Sequence, residues 1–135
     1  MESKLAHLDM IQAIVSRLAN NSFLLKGWSI SLISAFLAFA ASGETPALVF
    51  AACFPAIIFW VLDAYFLHQE RLFRKLYDHV RVIRPEEIDF SMNILPVLDQ
   101  VPSWSRVSFS KTLVIFHGMI LASVLLVGLL AISLS

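Results

Sequence analysis

The fold of this chain is decided by residues 112–135, which read TLVIFHGMILASVLLVGLLAISLS. This segment contains no Asp, Glu, Lys or Arg, and its one histidine is His117. About 20 residues of helix cross the apolar part of a bilayer, so the segment is long enough to span it. Because lipid offers the backbone no hydrogen-bond partners, we predict that it crosses as an α-helix.

Two earlier segments have the same apolar character. Residues 22–41 carry a single charge, Lys26, and residues 47–67 carry a single charge, Asp63. The chain is therefore predicted to be all-α with three transmembrane helices. Ala38-Phe39-Ala40 resembles a signal-peptide cleavage site, but the segment before Lys26 is too long for an ordinary n-region, so the first span is predicted to be uncleaved.

The composition excludes several other classes of protein. Of the 135 residues, 59% are hydrophobic and 15% are charged, against about 45–50% and roughly 25% in soluble domains. Three buried helices of a soluble protein would need more charged residues to cover their outer faces. Net charge is zero and there is one cysteine, Cys53, which argues against a wholly basic DNA-binding surface and a disulfide framework.

The basic residues predict the topology. The short link 42–46 has no Lys or Arg, and all ten basic residues lie on the other side of the predicted spans. The positive-inside rule then places the N-terminus and residues 68–111 of this multi-pass protein in the cytoplasm. The predicted parts are an N-terminal cytoplasmic amphipathic helix (1–21), a transmembrane hairpin (22–67, with spans 22–41 and 47–67), a cytoplasmic helix and connector (68–111), and a third span (112–135).

Two apolar stripes occur outside the spans. In the N-terminal helix the stripe is Leu5, Leu8, Ile11, Val15 and Leu18. This helix is expected to lie on the membrane surface, to run straight into the first span, or to pack on other cytoplasmic helices. The second span is predicted to continue to Arg84, where Pro85 ends it, and its stripe is Leu72, Phe73, Leu76, Val80 and Ile83. We expect the N-terminal helices of the same chain and of a neighbouring subunit to cover it together, in a symmetric homo-oligomer.

Three ionisable side chains fall inside the predicted spans. Lys26, Asp63 and His117 each lie about one to two turns from the cytoplasmic end of a span. Such groups are costly in lipid and face the bundle interior or water. They are candidates for a polar layer or gate lining a vestibule. The alternative is structural: Lys26 extends toward the interface and Asp63 pairs with it, which only fixes helix packing.

Small residues and one proline also mark the spans. Gly27, Ser31, Ala35 and Ala38 fall on one face of the first span. Such a face either lets helices approach closely or, through its serines, lines a pore. Pro55 is expected to kink the second span, as a hinge or as a static bend.

No catalytic or metal-binding motif is present in the sequence. There is no phosphate-binding glycine loop, no CxxC, HExxH or GxSxG pattern, and the four histidines form no metal motif. We therefore predict no enzyme, no catalytic residues, no metal and no cofactor.

Three stretches are informative when they are compared together with known proteins: 8–12 (LDMIQ), 20–28 (NNSFLLKGW) and 63–73 (DAYFLHQERLF). They resemble small bacterial inner-membrane effectors of anti-phage defence, namely the channel effectors of the Hailong system and the broader SLATT-type group. The resemblance covers roughly residues 5–84. It implies a homo-oligomeric ion channel that is gated by a nucleotide or oligonucleotide made by a partner nucleotidyltransferase, and that depolarises the infected cell.

The candidate ligand-binding residues for such gating are Arg71, Arg74, Tyr77, Arg81, Arg84 and Trp104. Arginine suits phosphate, and the aromatic rings suit base stacking. Seven basic against six acidic residues in 68–111 leave a net charge of only +1, so an ordinary inside-positive surface explains the arginines equally well. The expected partners are lipid and further copies of the chain, with a tetramer as the starting hypothesis. A non-conducting membrane anchor that docks a soluble partner, or a small transporter, are the alternatives.

Overall fold

The computed structural model describes residues 1–42 and 46–134, and these ranges are built mainly of helices. The α-helices are α1 (Glu2–Ser42), α2 (Pro46–Ala51), α3 (Cys53–Val82), α4 (Trp104–Ser108) and α5 (Lys111–Leu134). Three stretches are long and apolar enough to cross a membrane: Glu2–Ala40, Ala47–Val82 and Lys111–Ser133. The predicted all-α class, with three helices of spanning length, is confirmed.

The first helix is longer than either of the parts predicted from its sequence. The N-terminal segment 1–21 and the span 22–41 form one continuous helix, α1. No proline lies within it, and its first glycine is Gly27, well inside the span. The hydropathy therefore changes along α1 while the helical hydrogen bonding continues. Of the three arrangements expected for the N-terminal segment, the structure combines two: the segment runs straight into the span, and it packs on the far part of α3.

The second span differs from its prediction at both ends. A turn at Ala52 separates α2 from α3, whereas one helix from residue 47 was predicted. Pro55 has no N–H to give to the carbonyl of Ala51, so the chain there cannot form the regular helical bond. Helix α3 then ends at Val82, before the predicted Arg84, because the residue preceding Pro85 is extended. Residues 43–45 of the predicted link, and Ser135, lie outside the described residues.

The apolar stripe of α3 is covered by α1 of the same chain. Ile11 and Val15 from α1 pack with Leu76 and Val80 from α3, and all four side chains are buried. Val97, from the connector between α3 and α4, completes this connector-side cluster. The predicted contribution from a neighbouring subunit stays a prediction.

The connector keeps its shape through short side-chain turns. The N–H of Ser91 donates to the carboxylate of Asp89 (3.0 Å), that of Asn93 to the Ser91 hydroxyl (3.1 Å), and that of Leu95 to the Asn93 amide oxygen (3.2 Å). Such local bonds satisfy backbone groups that are not in a helix. They lead into a 3-10 turn, Leu95–Gln100, which carries Val97 into the connector-side cluster.

The connector also holds the first turns of α1. Lys4 Nζ donates to the carbonyl of Ile83 (2.8 Å), and His7 Nε2 donates to the carbonyl of Ser91 (2.9 Å). The ring of Phe90, whose φ of 55° is in the left-handed region, lies 5.5 Å from the imidazole of His7. The N-terminus of α1 is thus tied to the far end of α3 and to the connector.

A second cluster lies inside the predicted spans and consists of Ile33, Val49, Ala52, Ala56 and Val124. Beside it, Phe50 of α2 covers Gly128 of α5. A Cβ atom at Gly128 would lie 2.7 Å from the nearest ring atom of Phe50, whereas one at Gly118 would meet nothing within 4 Å. Among the glycines in the described ranges, Gly128 alone is therefore needed for the close approach of a neighbouring side chain.

Replacing Gly128 with Val is expected to lower the free energy of unfolding by about 1–3 kcal/mol, because the new side chain must displace the Phe50 ring. Gly118→Ala is the matched control and should be neutral or slightly stabilising, since alanine favours a helix more than glycine does. Thermal unfolding in mild detergent measures both. Phe50→Leu in the Gly128→Val background should recover part of the loss, and equal melting of the Gly118 and Gly128 variants would contradict the contact.

Candidate functional site

Four polar side chains meet where α1, α3 and α5 pack together, and we call this group the polar site. Lys26 Nζ lies 2.7 Å from Asp63 Oδ2, and His117 Nε2 lies 2.7 Å from the same oxygen. The hydroxyl of Ser22 donates to the other carboxylate oxygen, Oδ1, and accepts a bond from Lys26 Nζ at 2.9 Å. Asp63 is therefore the centre of the polar site.

The polar site is enclosed by the protein. Asp63 is 0% exposed and His117 is 1% exposed, while 22% of the Lys26 side chain remains accessible. An ionised carboxylate can only accept, so the hydrogen between Asp63 and His117 lies on Nε2. The charges of Lys26 and Asp63 cancel, which is the condition under which ionic groups are tolerated at this depth.

The spacing of residues along α1 explains why these groups meet. Ser22, Lys26, Ser29 and Ile33 recur every three or four positions, so they share the face of α1 that looks into the bundle. Ser22, Ser29 and Ile33 are buried. The hydroxyl of Ser29 has no hydrogen-bond partner among the residues that the structure describes. The inner face of α1 is therefore polar near the connector side and becomes apolar beyond Ser29.

The structure brings together the three ionisable residues singled out from the sequence, and it adds two that sequence reasoning missed. One is Ser22. The other is Trp60, which is stacked on His117 with ring centroids 5.9 Å apart and planes 12° apart. Trp60 Nε1 also donates to the carbonyl of Ser108 in α4 (2.8 Å). Both have a signal in the sequence: Ser22 lies four residues before Lys26, and Trp60 lies three residues before Asp63.

As a physical device, the polar site joins all three long helices. Separating α1 from α3 would leave the Asp63 carboxylate and the Lys26 ammonium without their counter-ions in a poorly solvated place, which is strongly unfavourable. The ring of Phe116 lies 5.8 Å from Lys26 Nζ and favours the cation in place. The geometry fits a lock between helices, that is, a contact that must break before α1 and α3 can separate. In the described part of the chain, no cluster of His, Cys, Asp or Glu is arranged to hold a metal.

The residues predicted to bind a ligand are divided between two places. Three of the arginines pair with nearby carboxylates, as Arg74–Glu70 (2.9 Å), Arg84–Glu87 (3.1 Å) and Arg81–Asp78 (4.0 Å). Tyr77 is half-buried against the connector-side cluster, and Arg71 is half-buried. Trp104 instead lies in α4 beside residues 57–61 of α3, about 30 Å along the helix from Arg81. One chain therefore does not bring Trp104 together with the last arginines of α3.

Pro55 lies next to the turn at Ala52 and therefore beside the junction of α2 and α3. The Ala52 N–H donates to Val49 (3.0 Å) and the Ala56 N–H to Ala52 (3.2 Å), so the junction keeps hydrogen bonds on both sides. Its use as a hinge stays a prediction.

Comparison of the chain with protein-family models, with curated proteins and with solved structures finds no match.

Proposed function

We propose that this protein is one subunit of a homo-oligomeric ion channel of a bacterial inner membrane, controlled from the cytoplasmic side and serving anti-phage defence. The observation that carries the proposal is the small-residue face of α1, formed by Gly27, Ser31, Ala35 and Ala38. All four residues are exposed, on the side of α1 away from the polar site. The chain's own helices leave this face uncovered.

A face of small residues in a spanning helix favours contact with another helix. Without bulky side chains the two backbones approach closely, and serine hydroxyls form bonds across the contact. Ser31 and Ser34 are both exposed on this side of α1. In a ring of subunits the same face places hydroxyl groups near the axis, while the apolar side chains beyond them form a constriction that gates by dewetting.

Control from the cytoplasmic side is supported by the continuity of α1 and α3. Each helix runs unbroken from the connector-side cluster to the polar site. From Ile11 to Lys26 the distance along α1 is about 22 Å. A change in how α1 packs on α3 near the connector therefore reaches Lys26 and Asp63 directly. In this proposal the polar site is the closed-state lock.

The ligand that we propose is the nucleotide or oligonucleotide suggested by the sequence resemblance, bound on the arginines of α3 and on Arg84, which follows the end of that helix. Arg74, Arg81 and Arg84 are already paired with carboxylates, so a phosphate must compete with those pairs. Such pairs are exposed and weak individually. A multiply charged phosphate chain, contacting arginines from several subunits, has the advantage over a single phosphate.

The experiment is reconstitution with measurement of both mass and current. Wild-type protein in nanodiscs and planar bilayers should be an oligomer that conducts, with the current altered by a pool of cyclic nucleotides and oligonucleotides. Ala35→Leu should lower the oligomer mass and abolish the current, because the larger side chain separates the helices. Ala51→Leu, an exposed alanine in α2, is the matched control and should do neither. A monomeric wild type that carries no current with any ligand would refute the proposal.

A second candidate, a non-conducting membrane anchor for a soluble partner, is favoured by one specific observation. The charges of the polar site are satisfied within a single chain, with Asp63 fully enclosed. Such a saturated site needs no second subunit and no water-filled vestibule. Recovery of the wild type as a monomer in stoichiometric complex with a soluble protein would support this candidate.

A further inference from the structure

We propose that a cleft between α3 and α4 binds an acyl chain of an anionic membrane lipid. The cleft has a volume of about 350 Å³, within the roughly 300–1,000 Å³ of small-molecule sites. Its aromatic wall consists of Trp60, Trp104 and Phe109, and Ile57 and Val61 line it from α3. These surfaces are apolar, so the cleft suits a hydrocarbon chain.

The position of the cleft argues for a lipid over a water-soluble ligand. Ile57 and Val61 belong to the spanning part of α3, while α4 lies just before α5 enters the membrane. Phe109 is 72% exposed and Ile57 is 50% exposed, so the cleft opens outward from the bundle. At the boundary of a bilayer, the apolar molecule that reaches such an opening is a lipid tail. Paired tryptophans are typical of this boundary.

Two cations that are close in sequence to the cleft residue Phe109 favour an anionic headgroup, although neither lines the cleft itself. Arg106 is in α4 and Lys111 begins α5, three residues before and two residues after Phe109, and both are exposed. Neither forms a salt bridge within the residues that the structure describes. With the tail against Phe109, the headgroup phosphate lies at the level of these cations. The cleft and its cations together select a lipid by both tail and charge.

Trp60 connects the cleft to the polar site. The indole forms part of the cleft wall, is stacked on His117, and holds α4 through the carbonyl of Ser108. A tail packed against Trp60 therefore fixes the ring that covers His117. Lipid binding itself does not depend on the channel proposal; only its effect on gating does.

The three tryptophans of the chain provide the experiment. Trp60 and Trp104 line the cleft, whereas Trp28 is 67% exposed on α1. Three single-tryptophan variants, with the other two changed to Phe, are reconstituted in phosphatidylcholine vesicles. A small fraction of the lipid carries brominated chains, as either phosphatidylglycerol or phosphatidylcholine. Fluorescence quenching then reports which lipid lies beside each ring.

We expect brominated phosphatidylglycerol to quench Trp60 and Trp104 more strongly than brominated phosphatidylcholine does, with no such preference at Trp28. Arg106→Gln and Lys111→Gln should each lower the apparent affinity about fivefold. Soluble glycerol phosphate, which has the headgroup without the tail, should not remove the preference.

Three results would overturn the proposal: equal quenching of Trp104 by the two lipids, a preference that survives the loss of both cations, or a preference that glycerol phosphate abolishes. The last result would show a phosphate site without a lipid tail. Failure of the channel experiment leaves these fluorescence readings unaffected, so the two proposals are tested separately.

Discussion

Asp63→Asn is expected to lower the free energy of unfolding by about 3 kcal/mol, because it removes the charge at the centre of the polar site. The substitution keeps the shape of the side chain but leaves the Lys26 ammonium without its counter-ion in a largely enclosed position. Removing one partner of a buried ion pair costs about 3–5 kcal/mol. Asparagine can still accept one hydrogen bond from Lys26 or His117, so the expected loss lies at the lower end of that range.

Thermal unfolding of the purified protein in mild detergent, followed by circular dichroism, measures this loss. Asp78→Asn is the matched control, because the pair of Asp78 with Arg81 is longer (4.0 Å) and both side chains are more than half exposed. Its effect should stay within about 0.5 kcal/mol. If Asp63→Asn melts like the Asp78 variant, the ion pair with Lys26 is not holding the helices together.

A fully apolar replacement separates packing from gating. Lys26→Met, Asp63→Leu and His117→Phe together remove every charge of the polar site at similar volume. Replacing a buried ionic group as a whole is often neutral or stabilising, so this variant should melt close to the wild type. If the polar site is the closed-state lock of a channel, the triple variant assembles normally but its current no longer responds to ligand as the wild type does. Unchanged ligand response would assign the site to helix packing alone.

The level at which the polar site lies could be read from the sequence, because helix rise fixes depth. Lys26, Asp63 and His117 are each one to two turns from the cytoplasmic end predicted for their span. Because α3 runs antiparallel to α1 and α5, these three positions come to the same level. Which side of each helix they occupy is set by packing, which depends on neighbours distant in sequence. The contacts of Ser22 and Trp60 were missed for that reason: both are neutral, and hydropathy treats them as ordinary span residues.

The interruptions of the helices were predictable only in part. A proline indicates a break, but the turn lies before Pro55, at Ala52, next to the Ala51 carbonyl to which Pro55 cannot donate. The separation of Trp104 from the arginines of α3 was not predictable, because prolines remove any periodicity from the connector. Its course depends instead on Val97 reaching the connector-side cluster and on Trp60 holding α4.

Leu76→Ala is expected to lower the free energy of unfolding by about 3 kcal/mol, through the cavity left in the connector-side cluster. Leu76 is 3% exposed and packs with Ile11, which is fully buried. Leucine-to-alanine substitutions at buried positions cost about 2–5 kcal/mol, and the cost rises with the volume that the neighbours fail to fill. Here the neighbours are long helices and a proline-rich connector, so collapse into the cavity is limited.

Leu95→Ala is the control of the same chemistry, since Leu95 is 66% exposed in the neighbouring 3-10 turn. Thermal unfolding gives the size of each loss, and hydrogen exchange gives its location. In the Leu76 variant the amides of residues 3–20 should exchange faster, because this part of α1 is held mainly by α3 and the connector. Faster exchange would show that α1 of the same chain covers the apolar stripe of α3. If melting falls but exchange of residues 3–20 stays slow, a neighbouring subunit is holding α1, and the collar predicted from the two apolar stripes is the better description.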